Sequence, residues 1–148
     1  MVESPQIYTL DLNGGPIKEI VVVLGAGNGT GYLIEELHIF DAITLREYDC
    51  TNAFDIITDT LNFFSDAENY YIQSPSNLFA VPKSTLHAEQ DQLLDSIGIG
   101  EYITFSVDSD NLFCTLGCQA TLSSFCGDLS IRLGLDHDGI YCLAYDYE

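Results

Sequence analysis

The chain has 148 residues, 47% of them hydrophobic, including nine Tyr and eight Phe. That length and apolar content support one domain, residues 1–148, folded around its own core, and exclude a disordered acidic tail. Against 23 Asp and Glu stand only Lys18, Arg46, Lys83 and Arg132, a formal charge of -19, so the surface repels DNA, RNA and anionic membranes and attracts basic proteins.

Residues 7–12 alternate apolar and polar side chains before Asn13-Gly14-Gly15, which predicts a first strand and a tight hairpin turn. The second strand, 17–24, ends in Ile20-Val21-Val22-Val23-Leu24, the β-branched run of a strand covered on both faces. Residues 32–48 are mixed and are read as strands broken near Asp41-Ala42.

A first amphipathic helix is expected over 52–66, with Phe54, Ile57, Leu61 and Phe64 on one side and Asn52 as its cap. At about 100° per residue, Asp55, Asp59 and Asp66 share the opposite side. Short strands follow at 70–73 and 78–81, on either side of Ser74-Pro75-Ser76-Asn77. A second helix is expected over 85–97, burying Leu86, Leu93, Leu94 and Ile97, turning Asp91 and Asp95 outward and ending at Gly98. The remainder reads as an antiparallel meander, with strands at 102–107, 112–122, 129–135 and 140–147. The expected fold class is α+β: a mainly antiparallel sheet, formed by the N-terminal hairpin and the C-terminal meander, with two short amphipathic helices packed on it.

The run Gly25-Ala26-Gly27-Asn28-Gly29-Thr30-Gly31 resembles, over about a dozen residues, the loop of nucleotide-binding and methyltransferase folds in which backbone approaches a cofactor. It departs from both patterns. Val23 stands where methyltransferases usually carry an acid, Thr30 replaces the third glycine, and the preceding strand belongs to a hairpin instead of a βαβ unit. Cys114, Cys118, Cys126 and Cys142 lack the paired knuckle spacing of zinc modules. Without an export signal the five cysteines, Cys50 included, are read as reduced thiols. Asp108-x-Asp110 and Asp136-x-Asp138-Gly139 open like calcium loops but lack the closing Glu, so they are read as hairpin turns. His38, His87 and His137 lie far apart, and no nucleophile elbow, zinc-protease motif or phosphate loop occurs. No catalytic residue, metal site or cofactor is assigned.

The acids and aromatics carry the functional expectation. Tyr141, Leu143, Tyr145 and Tyr147 share one parity on the last strand, beside Asp146 and Glu148. The leading reading is a cytoplasmic acidic inhibitor, of the immunity-protein or nucleic-acid-mimic type, that occludes the active or nucleic-acid site of a basic protein. Asp55, Asp59, Asp66, Asp91 and Asp95 would pair with the partner's Lys and Arg while Tyr145 and Tyr147 anchor the rim. The alternative is a small-molecule or nucleotide-binding domain using the segment from Gly25 to Gly31.

Overall fold

The computed structural model describes residues 4–29 and 32–148. The chain is mostly β, with eleven strands and one α-helix among those residues. The strands are β1 (Gln6–Leu10), β2 (Glu19–Gly29), β3 (Tyr32–Asp41), β4 (Glu47–Tyr48), β5 (Asn62–Ser65), β6 (Asn69–Gln73), β7 (Leu78–Pro82), β8 (Gly98–Asp108), β9 (Asn111–Gln119), β10 (Phe125–Asp136) and β11 (Gly139–Tyr147), and the helix is α1 (Ala53–Thr58). An eight-stranded sheet runs β1-β2-β3-β8-β9-β10-β11, with β4 added to β3, and a three-stranded sheet runs β5-β6-β7.

The mainly antiparallel sheet, the N-terminal hairpin and the C-terminal meander match the sequence-based expectation. The two packed helices do not. The expected helix 52–66 is helical only over Ala53–Thr58. The β-branched run Ile56-Ile57-Thr58 lowers helix propensity, and the Thr58 and Thr60 hydroxyls donate back to the Phe54 and Ile57 carbonyls at 2.9 and 2.7 Å. The chain then enters β5, where Phe64 lies opposite Tyr71 and their rings stack at 5.1 Å, a cross-strand pairing a helix cannot make.

The expected helix 85–97 is replaced by short 3-10 turns at Lys83–Thr85 and Gln90–Gln92, joined by extended chain. Its backbone groups are engaged elsewhere. The Leu94 N–H donates to the Ala120 carbonyl at 2.7 Å, the Leu94 carbonyl accepts from the Tyr70 hydroxyl, and the Asp95 carbonyl accepts from Ser65 Oγ at 2.6 Å. Tertiary partners outcompete the local helix ladder here.

One face of the large sheet supplies the core. Val21, Val23, Leu37, Ile39, Leu112, Cys114, Leu116, Leu129 and Ile131 are buried there, and Ile57, Tyr70, Ile72 and Val81 of α1 and the small sheet join the same cluster. Each fully buried aliphatic side chain contributes roughly 1.5–3 kcal/mol. Ile20, Val22 and Leu24 point to the other face and are only half-buried, so the apolar run of β2 is not covered equally on both sides.

Two irregularities decide side-chain direction. In the β10–β11 ladder Arg132 pairs with Ala144 and Leu133 with Cys142, leaving Leu143 unpaired. That bulge breaks the single row expected for the last strand, because it turns Tyr145 and Tyr147 to the core face and leaves Tyr141 and Leu143 exposed. The parallel β3–β8 pairing extends over only Leu33↔Tyr102 and Ile34↔Ile103. Just past it, Glu35 Oε1 accepts the Phe105 N–H at 2.8 Å, satisfying a donor where the two strands part.

Candidate acidic cleft at one end of the sheet

Strand direction collects acids that are scattered in sequence. β1, β3, β8 and β10 run the same way, so the connections that follow them emerge at one end of the large sheet. Those strand ends and the connections after them carry Asp11, Asp41, Asp108, Asp110, Asp136 and Asp138. The β9–β10 connection at the opposite end, Ala120-Thr121-Leu122-Ser123-Ser124, carries no charge. Short hairpins need turn residues, and aspartate supplies them by bonding its own backbone. Asp136 Oδ1 accepts the Asp138 N–H at 2.8 Å, and Ser109 and Asp110 adopt the positive φ of a tight hairpin turn.

Between the β1–β2, β3–β4 and β10–β11 connections, and not reaching the β8–β9 turn, lies a cleft of about 980 Å³, whose lining includes Asn13, Asp41, Thr44, Arg46, Glu47, Tyr48, Asp49, Asp136, His137, Asp138 and Tyr141. Arg46 is the only Lys or Arg in its wall, against five carboxylates. Gly139, at φ +117°, closes one side; a Cβ there would lie 3.2 Å from the Asp49 carbonyl, so this close approach and the dihedral both favour glycine.

Two of these carboxylates, Asp41 and Asp49, are held ionised by local donors. The Thr44 and Ile43 N–H groups, each 2.9 Å from Asp41 Oδ1, hold that carboxyl below its usual range. The Thr51 hydroxyl, at 2.6 Å, and then the Thr51 N–H do the same for Asp49. Asp136, His137 and Asp138 place one ligand atom each within 4.8 Å of one another, all exposed in a single turn. Behind the cleft, Glu19 is 2% exposed and pairs with Asp41 across the β2–β3 ladder. Its Oε1 accepts the Asn13 N–H at 3.1 Å while Oε2 has no partner among the described residues.

The rim is apolar on one side. The β3–β4 turn places Thr44 and Arg46 in the cleft wall and leaves the alternate residues, Ile43 and Leu45, 68% and 64% exposed. Leu45 has φ +58°, a left-handed conformation that costs a branched L-residue about 1–2 kcal/mol. The turn is pinned by Asp41, whose carbonyl accepts the Leu45 N–H at 2.9 Å and whose N–H donates to the Arg46 carbonyl at 2.9 Å.

His38 lies at the base of β4, with Nδ1 2.6 Å from Glu47 Oε1 and Nε2 3.4 Å from Glu36 Oε2. The Glu47 contact, more than the Glu36 contact, raises its pKa. A raised imidazole pKa stabilises the fold fully below the unfolded value near 6.5, and that contribution is lost as pH rises through the folded value. His38→Gln is therefore expected to flatten the pH dependence of the urea midpoint from about pH 6 to 8, by less than ~1 kcal/mol because the pair is partly exposed. An unchanged slope would assign the dependence to other groups.

The sequence-derived site residues are dispersed. Asp55 is exposed in the first turn of α1, and Asp59 follows the helix, one turn on. Asp66 sits in the β5–β6 turn, not on a helix. Its carboxylate accepts from the Tyr71 hydroxyl at 2.8 Å and from the Asn69 and Glu68 N–H groups at 2.7 and 2.9 Å, all of which lower its pKa. Asp91 is exposed in a 3-10 turn, and Asp95 is exposed in the chain leading to β8, tied by its carbonyl to Ser65 beside Asp66. Tyr145 and Tyr147 are partly buried. Their hydroxyls donate to Thr60 Oγ1 at 2.8 Å and to the Cys126 carbonyl at 3.2 Å, so both serve the interior.

The cleft acids were missed because they are separate in sequence; the signal available was aspartate in successive hairpin turns whose preceding strands share a direction. The segment read as a glycine loop is instead largely strand. Gly25 and Gly27 lie opposite Glu35 and Ile34 in the β2–β3 ladder, with no helix N-terminus following to receive a phosphate; Thr30 and Gly31 lie outside the described residues. All five cysteines are free thiols. Burial pushes Cys50 up to about 11, and Cys114 and Cys118 up to about 12, so burial keeps these three as neutral thiols at neutral pH. Among the described residues, no helix is long and apolar enough to cross a membrane. No family model, curated protein or solved structure matches the chain.

Proposed function

We propose that this chain is a cytoplasmic binding protein that occludes a basic protein partner, in the manner of an immunity protein or nucleic-acid mimic, and that the acidic cleft is its principal contact. The observation that carries this reading is the cleft's five carboxylates facing one arginine. Two further facts support it: the net charge of -19, and the histidine character of every ion pair within 4.0 Å among the described residues, so that no Lys or Arg there lies within ion-pair distance of a carboxylate. Asp49 and Asp136, held in pinned turns with no ion-pair partner among the described residues, meet a partner's Lys and Arg without first breaking an internal bridge, whereas Glu47 is held by His38. Exposed Asp55, Asp59, Asp91 and Asp95 extend the attracting field, whereas Asp66 is engaged in its own turn.

The test is to capture proteins from a cytoplasmic extract at low salt on the native chain and on an Asp49→Asn, Asp136→Asn, Asp138→Asn variant. A basic protein is expected on the native chain alone, with affinity falling roughly ten- to a hundred-fold between about 50 and 500 mM salt. Equal retention by both, or a salt-insensitive complex, overturns the proposal.

A further inference from the structure

We infer that the β3–β4 turn is the hydrophobic anchor of this interface, with Ile43 and Leu45 inserting into an apolar pocket bordered by the partner's basic residues. This inference rests on the proposed function and specifies its partner. Two large aliphatic side chains at 68% and 64% exposure on one turn do not serve this chain's own core. Their neighbours Thr44 and Arg46 face the cleft, so the apolar tip and the acidic wall belong to one continuous surface. The turn is also rigid: Asp41 accepts N–H groups from Ile43, Thr44 and Leu45, and Leu45 is held at positive φ. A pre-organised tip loses little freedom on docking, and burying two exposed aliphatic side chains in an apolar pocket removes their surface from water. Charge selects the occupant, because the adjacent carboxylates favour an apolar pocket with a cationic border over a neutral one or a second copy of this acidic chain.

Two synthetic peptides of equal charge serve as probes, one of six lysines and one with six lysines interspersed with leucine and phenylalanine. Calorimetry is run on the native chain, on Ile43→Ser with Leu45→Asn, and on Asp136→Asn with Asp138→Asn. The mixed peptide is expected to bind the native chain at least ten-fold more tightly than oligolysine. The tip variant should lose that advantage, with unchanged oligolysine affinity and a Tm no lower than native, since asparagine tolerates positive φ. The aspartate variant should weaken both peptides. Equal binding of both peptides to the native chain, or an advantage that survives the tip variant, overturns the anchor and leaves the acidic site standing. Binding of neither peptide overturns both. Concentration-dependent self-association in sedimentation, abolished by the tip variant, reassigns the tip to a second copy and overturns the inference.

Discussion

Tyr70→Ala is expected to lower unfolding free energy by about 3–5 kcal/mol, a large fraction of what a domain of this size possesses. Tyr70 is fully buried in β6, and its hydroxyl donates to the Leu94 carbonyl in the stretch that replaces the expected second helix. Lys83 Nζ lies 4.9 Å from the ring centroid and donates to the Asp66 carbonyl at 2.7 Å. The side chain thus joins the small sheet, the 83–97 connection and the core of the large sheet. Tyr70→Phe keeps the ring and removes only the hydrogen bond, for about 1–2 kcal/mol. Urea unfolding of both variants separates the two contributions. A loss below ~1 kcal/mol for the alanine variant contradicts a central role for this residue.

Glu19→Gln is expected to stabilise the protein at neutral pH. Burial, reinforced by the Asp11 and Asp41 charges and opposed by the Asn13 N–H, raises the Glu19 pKa. The native state therefore binds this proton more readily than the unfolded chain. Stability is greatest below the ordinary carboxyl value near 4.5 and falls as pH rises through the folded value. Glutamine keeps an acceptor for Asn13, removes the buried charge, and sets amide donors in the field of two carboxylates. A gain of about 1 kcal/mol, roughly 3 °C in Tm, is expected at pH 7–8 and should shrink toward pH 4. A pH-independent difference, or destabilisation at pH 8, contradicts the assignment of a strained carboxylate to Glu19.

The meander was legible because its signals are local. In β9, Leu112, Cys114, Leu116 and Cys118 alternate with side chains on the other face, and the flanking turns carry Asp, Ser and Thr. Over 52–66 the local signal was ambiguous. Phe54, Ile57, Leu61 and Phe64 satisfy a helical period, yet Phe64 gains a stacked cross-strand partner in Tyr71 only if the chain becomes β5. The 85–97 connection misled for a related reason: its leucines are partly buried as expected, while the backbone at Leu94 and Asp95 is held by Ala120, Tyr70 and Ser65. Each partner is at least 24 residues away, beyond any local window.

Sequence alone determined the excess of carboxylates, the apolar content, the strand-rich C-terminal half and the identity of its turns, because composition, alternation and turn chemistry act over a few residues. Tertiary structure decided where the charge lies. Strand direction brought Asp41, Asp136 and Asp138 to one end of the sheet, a bulge at Leu143 turned Tyr145 and Tyr147 inward, and pairing with β6 claimed the second half of the first helix. These outcomes depend on pairings between distant segments, whose hydrogen bonds and burial outweigh local propensities of a few tenths of a kcal/mol per residue.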